Sequence, residues 1–525
     1  MTTTILSARW IVSGVNNDNN LEIHENAGLV FENDKILEVN SIDKIKPKYP
    51  NAKIKDYPDH MIIPGLVNSH HHIGLTPLQL GAPDYSLELW FAARLAMRKI
   101  DPYLDTMFSA FEMIESGVTT VQHIQGWATG NYDEVVNSAS SVLRAYDDIG
   151  LRVSYSYAVR EQNRFVYEAD QEFCNRLPPK IAKIMSKHFA QQTLQFDDFI
   201  NLFDHLRANN KNPKARIQLA PANLHWMTDD GIIALKEKAS NEGVPMHMHL
   251  LETPYQKEYA FKRTGTTAVK HLNDLKVLGP HMTLGHGVWM NEEDIEICAD
   301  TGTCICHNCS SNFRLRSGML PLMELQKRGI IVGMGMDEAG INDDRDMLQE
   351  MRMALTVHRI PGMIHNDVPT PSQILKMATE HGAHTTAFGT EIGRLDPGRK
   401  MDAVVIDYYK ATYPFQDQDI PPLDALIHRA KTKDLKEVFI DGQTVYKDGL
   451  FVNVNKDKIL EAIHKAMEKP RDEDEIERHF LRKEVFPIVE EFYSNYIVGT
   501  KLRSPFYKNS SSLLKTKPFL KMLDF

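Results

Sequence analysis

Met61-Ile62-Ile63-Pro64-Gly65-Leu66-Val67-Asn68-Ser69-His70-His71-His72 is an apolar, β-branched stretch that runs into three consecutive imidazoles. The pattern recurs along the chain. His247 and His249 close the run Val244–Leu250, His286 closes Met282–Gly287, and Asp337 follows Ile331-Val332-Gly333-Met334-Gly335-Met336. Neutral imidazoles and carboxylates are ligands of divalent metals. The ends of parallel strands are where a (β/α)8 barrel carries its chemistry.

Outward from these positions, short strand-like runs alternate with longer helix-like stretches between residues 65 and 390. Strands are predicted at Val118–His123, Arg152–Val159, Arg216–Ala220, Val244–Leu250, Met282–Gly287, Thr303–His307 and Ile330–Met336. With the run before His70 they make eight. Amphipathic stretches such as Tyr103–Ser116, Gly231–Asn241 and Met347–His358 lie between them, and Gly117 stands where a helix C-cap glycine belongs. The expected fold is therefore α/β, a (β/α)8 TIM barrel over 65–390. A doubly wound sheet is the alternative, but its glycine-rich phosphate fingerprint is absent.

Both ends of the chain read differently. Leu29-Val30-Phe31 and Ile36-Leu37-Glu38-Val39 flank Glu32-Asn33-Asp34-Lys35 as a hairpin-like pair. Ala403-Val404-Val405-Ile406 and Val438–Tyr446, the latter bent at Asp441-Gly442, are short strands after the barrel. Residues 1–64 and 391–455 are expected to form one small β-sandwich domain. Residues 456–525 would be a helical extension and tail. Its last 25 residues carry six Lys/Arg against one Asp, which reads as a solvated or oligomer-contacting arm.

Bulk properties narrow the function. The net charge of −10 argues against a general nucleic-acid binder. The N-terminus lacks a basic region followed by an apolar one, and no apolar run approaches the roughly 20 residues needed to span a bilayer. Five cysteines, three of them within Cys304–Cys309, do not make a disulfide framework. A cytoplasmic protein with no membrane or nucleic-acid partner is expected.

The candidate ligands have strand spacing. His70 and His72 are i, i+2 and share a face, as do His247 and His249, of which only one need bind. Glu252 lies three residues beyond His249 and would overhang a metal rather than bind it.

The segment Pro64–His72 resembles the first-strand signature of the amidohydrolase superfamily, in the branch of S-adenosylhomocysteine/methylthioadenosine, guanine and cytosine deaminases and triazine hydrolases. Gly117-Val118-Thr119-Thr120, His249-Leu250-Leu251-Glu252-Thr253, Gly285-His286-Gly287, His307-Asn308-Cys309-Ser310-Ser311-Asn312 and Gly335-Met336-Asp337 resemble its motifs on strands two, five, six, seven and eight. Ile392–Ala403 resembles its return into the β-sandwich. The resemblance implies that His70, His72, His249 and Asp337 bind one divalent metal, Zn2+ or alternatively Fe2+. It implies that Asp337 takes the proton of water, that Glu252 passes a proton to substrate, and that His286 polarises the attacked centre. Trp90, Gln125, His307 and Glu338 would contact the substrate, with His123 near them. The candidate fourth strand, Arg216–Asn223, offers no lysine to bridge two metals.

Three departures bear on the substrate. Pro221-Ala222 stands where the branch has Pro-His, with His225 and Trp226 a little later. Glu338, an acid suited to an amino-bearing substrate, stands where the branch has Gly. Cys309 replaces a proline. The spacing of Cys304, Cys306 and Cys309 suggests a second metal site, but no fourth thiolate is nearby, and buried free thiols are expected.

The function implied is a metal-dependent aminohydrolase deaminating an amino-substituted nitrogen heterocycle. The alternative is the same site with an alkylamine, urea, amide or chloride leaving group. A non-catalytic barrel scaffold is a remote third. The partner would be a small molecule, and the protein would be a homo-oligomer.

Overall fold

The computed structural model describes residues 3–126, 129–192, 194–360 and 367–497. Two parallel sheets carry the alternating part of the chain. The first hydrogen-bonds Leu66–His71, Val118–Gln125, Arg152–Val159 and Ala215–Ile217 in sequence order, with Ala220–Pro221 also paired to Arg152–Val159. The second runs Met246–Leu250, Met282–His286, Cys304–His307 and Val332–Met334. Single parallel bridges, Leu219↔Met246 and Asn223↔His249, link the sheets on one side, and His71↔Asp337 links them on the other. The His70 carbonyl also accepts from Asp337 N at 2.9 Å.

Val118–Gln125 is buried at every position, as expected of parallel strands covered on both faces. The predicted strand Arg216–Ala220 is interrupted. It appears as Ala215–Ile217 and Ala220–Pro221, because the chain changes partners between them: Gln218 N donates to the Tyr155 carbonyl of the first sheet, and Leu219 N to the Pro245 carbonyl beside the second. Ile330–Met336 contracts to Val332–Met334.

Helix signals agree with the sequence. Asp101 accepts from Tyr103 N and Leu104 N ahead of the helix Pro102–Glu115, with Pro102 in the first turn. Gly117 follows the helix with φ 93°, a conformation that costs glycine little.

The N- and C-terminal segments share one eight-stranded sheet, in the order Leu450–Phe451, Gln443–Lys447, Leu435–Ile440, Ala403–Asp407, Lys53–Pro64, Thr3–Val15, Leu21–Glu32, Lys35–Ser41. Its turns are tight. Glu32 pairs with Lys35, leaving a two-residue turn with Asn33 at φ 54°, and Ile440 pairs with Gln443 across Asp441-Gly442, both at positive φ. Strand alternation divides its side chains between two cores. Trp10, Val12, Met61, Ile63, Val404 and Ile406 join the main core of the parallel sheets. Leu6, Ala8, Ile11, Ile62, Ala403 and Val405 join a smaller one with Leu29, Phe31 and Phe439.

Two helices end the described chain. Lys456–Met467 packs on Pro102–Glu115, and Glu473–Tyr496 packs on Leu87–Arg94. The second helix buries Leu481, Val485, Val489 and Tyr493 against Phe173, Ile181 and Met185. The predicted basic arm, Lys501–Phe525, lies outside the described residues. All five cysteines are free and buried, and burial pushes the Cys304 thiol up to about 12. Among the described residues no helix is long and apolar enough to cross a membrane.

Candidate active site

At the C-terminal ends of the parallel strands, four candidate ligand atoms converge. His72 Nε2 lies 2.9 Å from His249 Nε2 and 3.0 Å from His70 Nε2. Asp337 Oδ1 is 3.3 Å from His72 Nε2 and 3.6 Å from His70 Nε2. The outer ring nitrogens decide where the protons are. His72 Nδ1 faces the Ile124 carbonyl at 2.8 Å, and His249 Nδ1 faces the Ala222 carbonyl at 2.7 Å. A carbonyl only accepts, so both Nδ1 atoms donate and both Nε2 atoms are bare lone pairs. Burial, and then His72 beside them, pushes the pKa values of His70 and His249 well below the ordinary range. Converging lone pairs in a buried site repel unless a cation lies between them. Zinc–nitrogen distances of about 2.0–2.1 Å match a cluster this size, so the donor set fits a divalent ion.

His247 occupies the same strand face as His249 but turns to the first strand. Its Nε2 is 2.8 Å from His70 Nδ1. It therefore accepts from His70 and orients that ring. Burial lowers its own pKa to about 3.

The second oxygen of Asp337 and the side chains of His286 and Glu252 stand over the cluster. Asp337 Oδ2 accepts from Ser311 Oγ at 2.6 Å. His286 Nδ1 donates to Asn312 Oδ1 at 2.9 Å, leaving Nε2 3.7 Å from Glu252 Oε2 and 3.8 Å from Asp337 Oδ2. Burial keeps His286 neutral against the pull of Asp337. Glu252 is buried, and its pKa is pushed well above the carboxylate range by burial first, then by the negative charges of Asp337 and Glu88. Leu251 (φ 52°), His286 (φ 72°) and Asp337 (φ 55°) all adopt the left-handed conformation. Strained backbone of this kind gathers at functional sites and is held there by its surroundings.

The cavity above the cluster is lined by His72, His249, Glu252, His286 and Asp337, with Trp90, Phe91, Trp226, Leu87 and Leu315 as apolar walls and Arg94, Arg160, Asn223, Gln256 and Glu338 as polar ones. Trp90 and Glu338 thus reach the site. Arg94 Nη1 donates to Glu338 Oε1 at 2.9 Å, so this acid arrives already paired with a cation.

Gln125 and His307 do not line that cavity. Gln125 accepts from Tyr155 OH at 2.5 Å and donates to Ser138 Oγ at 2.8 Å. His307 Nε2 sits 2.9 Å from His358 Nε2. Strand parity explains both, since Ile124 and Cys306 take the alternate face. His123 likewise pairs with Tyr146 OH of the helix Tyr132–Ile149, at 2.8 Å. Sequence reasoning gave no role to Phe91, Arg94, Arg160, Asn223, Gln256 or Ser311. Ser311 was within reach, inside the quoted His307–Asn312 motif. Trp226 was noted but given no place at the site.

The sequence profile of the amidohydrolase family matches residues 61–445. The chain belongs to that family. Among its amidohydrolase relatives, a 5'-deoxyadenosine deaminase of Methanosarcina mazei is 27% identical over 449 residues, covering 84% of this chain and 93% of the relative. A 5-methylthioadenosine/S-adenosylhomocysteine deaminase of Pyrococcus furiosus is 26% identical over 458 residues, covering 86% and 99%. In fold, the chain is similar to an adenosine deaminase from Xanthomonas campestris with bound zinc (TM-score 0.71, 21% identity, 92% and 99% covered). It is also similar to an atrazine chlorohydrolase from Arthrobacter aurescens complexed with zinc (TM-score 0.74, 19% identity, 88% and 99% covered).

Proposed function

We propose that the protein is a metal-dependent hydrolase that deaminates an amino-substituted nitrogen heterocycle. The observation that carries this reading is the convergence of the Nε2 atoms of His70, His72 and His249 with Asp337 Oδ1, beside a buried Glu252 whose Oε2 lies 3.7 Å from His286 Nε2. The relatives named as deaminases support the leaving group.

A bound divalent ion supplies the Lewis acidity that makes hydroxide available near neutral pH. Asp337 receives the proton of the attacking water on its carboxylate. Glu252 holds a proton at its carboxyl and delivers it to the ring nitrogen, work that general acids do to about 10²–10⁴-fold. His286 Nε2, neutral and aimed at the same space, accepts a hydrogen bond there. Trp90, Phe91 and Trp226 offer flat apolar surface to a planar ring. The proton held on Asp337 passes to the exocyclic nitrogen, the C–N bond breaks to release ammonia, and the hydroxyl proton returns to Glu252 as the carbonyl forms.

Several finer points belong to this reading. The two parallel sheets and their bridges close into one (β/α)8 barrel over 65–390. Residues 1–64 and 391–455, joined in one eight-stranded sheet, form its small β domain, and 456–525 a C-terminal extension. Each subunit holds one metal, zinc with iron as the alternative, because Pro221-Ala222-Asn223 supplies no bridging lysine. Five reduced thiols suit a cytoplasmic protein. Exposed Tyr409, Tyr413 and Phe415, the last 77% accessible, suit a homo-oligomer.

The test is ammonia release by metal-replete protein across aminopurines, their nucleosides, aminopyrimidines, pterins and aminotriazines, with Asp337→Ala as control. Release from a heterocycle that the variant lacks supports the reading. Metal bound without ammonia release overturns it and directs the search to chloride, alkylamine and urea leaving groups.

A further inference from the structure

Glu88 lies on the helix Leu87–Arg94, whose Leu87, Trp90 and Arg94 line the cavity. Its own side chain points away from that cavity into a closed junction and is 2% exposed. Glu88 Oε1 accepts from Tyr167 OH at 2.9 Å and from Thr253 Oγ1 at 2.5 Å. Thr253 directly follows Glu252, and it caps the helix Pro254–Thr264 by accepting from Gln256 N. Glu252 N in turn donates to Gln256 Oε1 at 2.9 Å. On the far side of the junction, the Tyr167 ring meets Tyr493 edge to face at 5.3 Å. The Tyr493 side chain also hydrogen-bonds the Tyr167 backbone. Tyr493 belongs to Glu473–Tyr496, a helix that lies outside the 61–445 family match.

This arrangement has a mechanical consequence. Leu251, at φ 52°, is buried and held in a backbone region that disfavours side chains of its size. Left to itself, the peptide would relax toward negative φ and swing Glu252 away from His286. The anchors immediately beyond it are Glu252 N to Gln256 and Thr253 Oγ1 to Glu88. Glu88 is fixed in turn by Tyr167, and Tyr167 by the C-terminal helix.

We propose that the C-terminal helix is a working part of the active site, and that Tyr493, Tyr167, Glu88 and Thr253 are positioning residues that hold Glu252 in register with His286. The proposal rests on the role given to Glu252 above. It assigns the extension a function in this chain beyond packing.

The experiment uses the full-length, metal-replete protein and its Thr253→Val, Thr253→Ser and Tyr493→Phe variants. Backbone hydrogen exchange is followed in peptides covering residues 250–257, and kcat and KM are measured on whichever heterocycle the wild type turns over. The expected result is faster exchange confined to 250–257 and a tenfold or larger fall in kcat for Thr253→Val. Tyr493→Phe should show the same pattern at threefold or more. KM stays within twofold and metal content is unchanged in both, and Thr253→Ser, which keeps the hydroxyl, restores exchange and turnover. Unchanged exchange and unchanged kcat overturn the proposal, as does either change without the other. If the wild type releases no ammonia at all, the deaminase reading fails, while exchange at 250–257 alone still decides whether the helix holds that loop.

Discussion

His70 Nδ1 lies 2.8 Å from His247 Nε2, and this contact separates the duties of two histidines that strand spacing alone leaves equivalent. His249 turns its bare Nε2 to the ligand cluster, and His247 supports His70 from behind. Removing an outer partner of a metal-bound imidazole typically costs about 10–100-fold in metal affinity. His247→Ala should therefore keep a metal but lose it to a chelator at about 10–100-fold lower concentration than the wild type. His249→Ala should bind none stoichiometrically. Metal content after graded chelation checks both, and equal retention by His247→Ala and wild type would remove the supporting role.

In the proposed reaction Glu252 carries a proton and does not bind the metal. Its Oε2 is 3.7 Å from His286 Nε2, and its nearest hydroxyl, Ser317 Oγ, is 3.4 Å from Oε1. Glu252→Gln keeps the shape and deletes the transferable proton. Turnover should fall by about 10²–10⁴-fold with metal content intact. A fall of less than tenfold in kcat would take the proton-transfer role away from this residue.

Strand parity explains most of what was and was not legible in the sequence. His70, His72, His249 and Asp337 could be assembled from their positions at strand ends, and the structure brings all four within 3.6 Å of a neighbour. Gln125 and His307 also end strands, but one residue of register turns a side chain from the cavity toward the surrounding helices. No periodicity in a short, fully buried strand marks which face is which. The break at Gln218-Leu219 was hidden because Arg216-Ile217-Gln218-Leu219-Ala220 alternates polar and apolar residues and reads as one strand. Trp226 and Phe91 reach the cavity from a loop and a helix whose placement depends on tertiary packing.

Two buried carboxyls make stability depend on pH. Burial raises Glu88 and Glu350 from 4.5 to about 7. Each folded carboxyl therefore holds its proton where the unfolded chain has released it. The stability this provides is complete below about pH 4.5 and is lost as pH rises through about 7. At 1.36 kcal/mol per pH unit, the loss is on the order of 3 kcal/mol for each group. Glu350→Gln leaves an acceptor for Ser310 N, which donates to Glu350 Oε1 at 3.0 Å, and it cannot ionise. Its unfolding free energy should decline by about 3 kcal/mol less than that of the wild type between pH 5 and 8. Parallel denaturation curves for the two proteins across that range would show Glu350 to be ionised in the fold.

Arg152 joins the parallel strands to the terminal sheet. Its side chain is inaccessible, with Nε and Nη2 each 2.9 Å from the Asp402 carboxylate and Nη2 2.6 Å from Asp441 Oδ1. Asp402 precedes the strand Ala403–Asp407, and Asp441 lies in the turn between Leu435–Ile440 and Gln443–Lys447. One guanidinium therefore fixes where the C-terminal strands return beside the parallel sheets. A buried ion group of this kind contributes little net stability compared with an apolar replacement, but removing one member strands the others in a dry site at about 3–5 kcal/mol. Arg152→Ala should cost that much in chemical denaturation. Arg152→Lys should recover only part of it, because an ammonium cannot make the paired contact with Asp402. The double variant Arg152→Ala/Asp402→Ala should be less destabilised than the sum of the single changes, since it leaves fewer uncompensated charges buried. Strict additivity would mean that the two side chains do not stabilise each other, and that the junction is held by the apolar alternation of Ile63, Val404 and Ile406 alone.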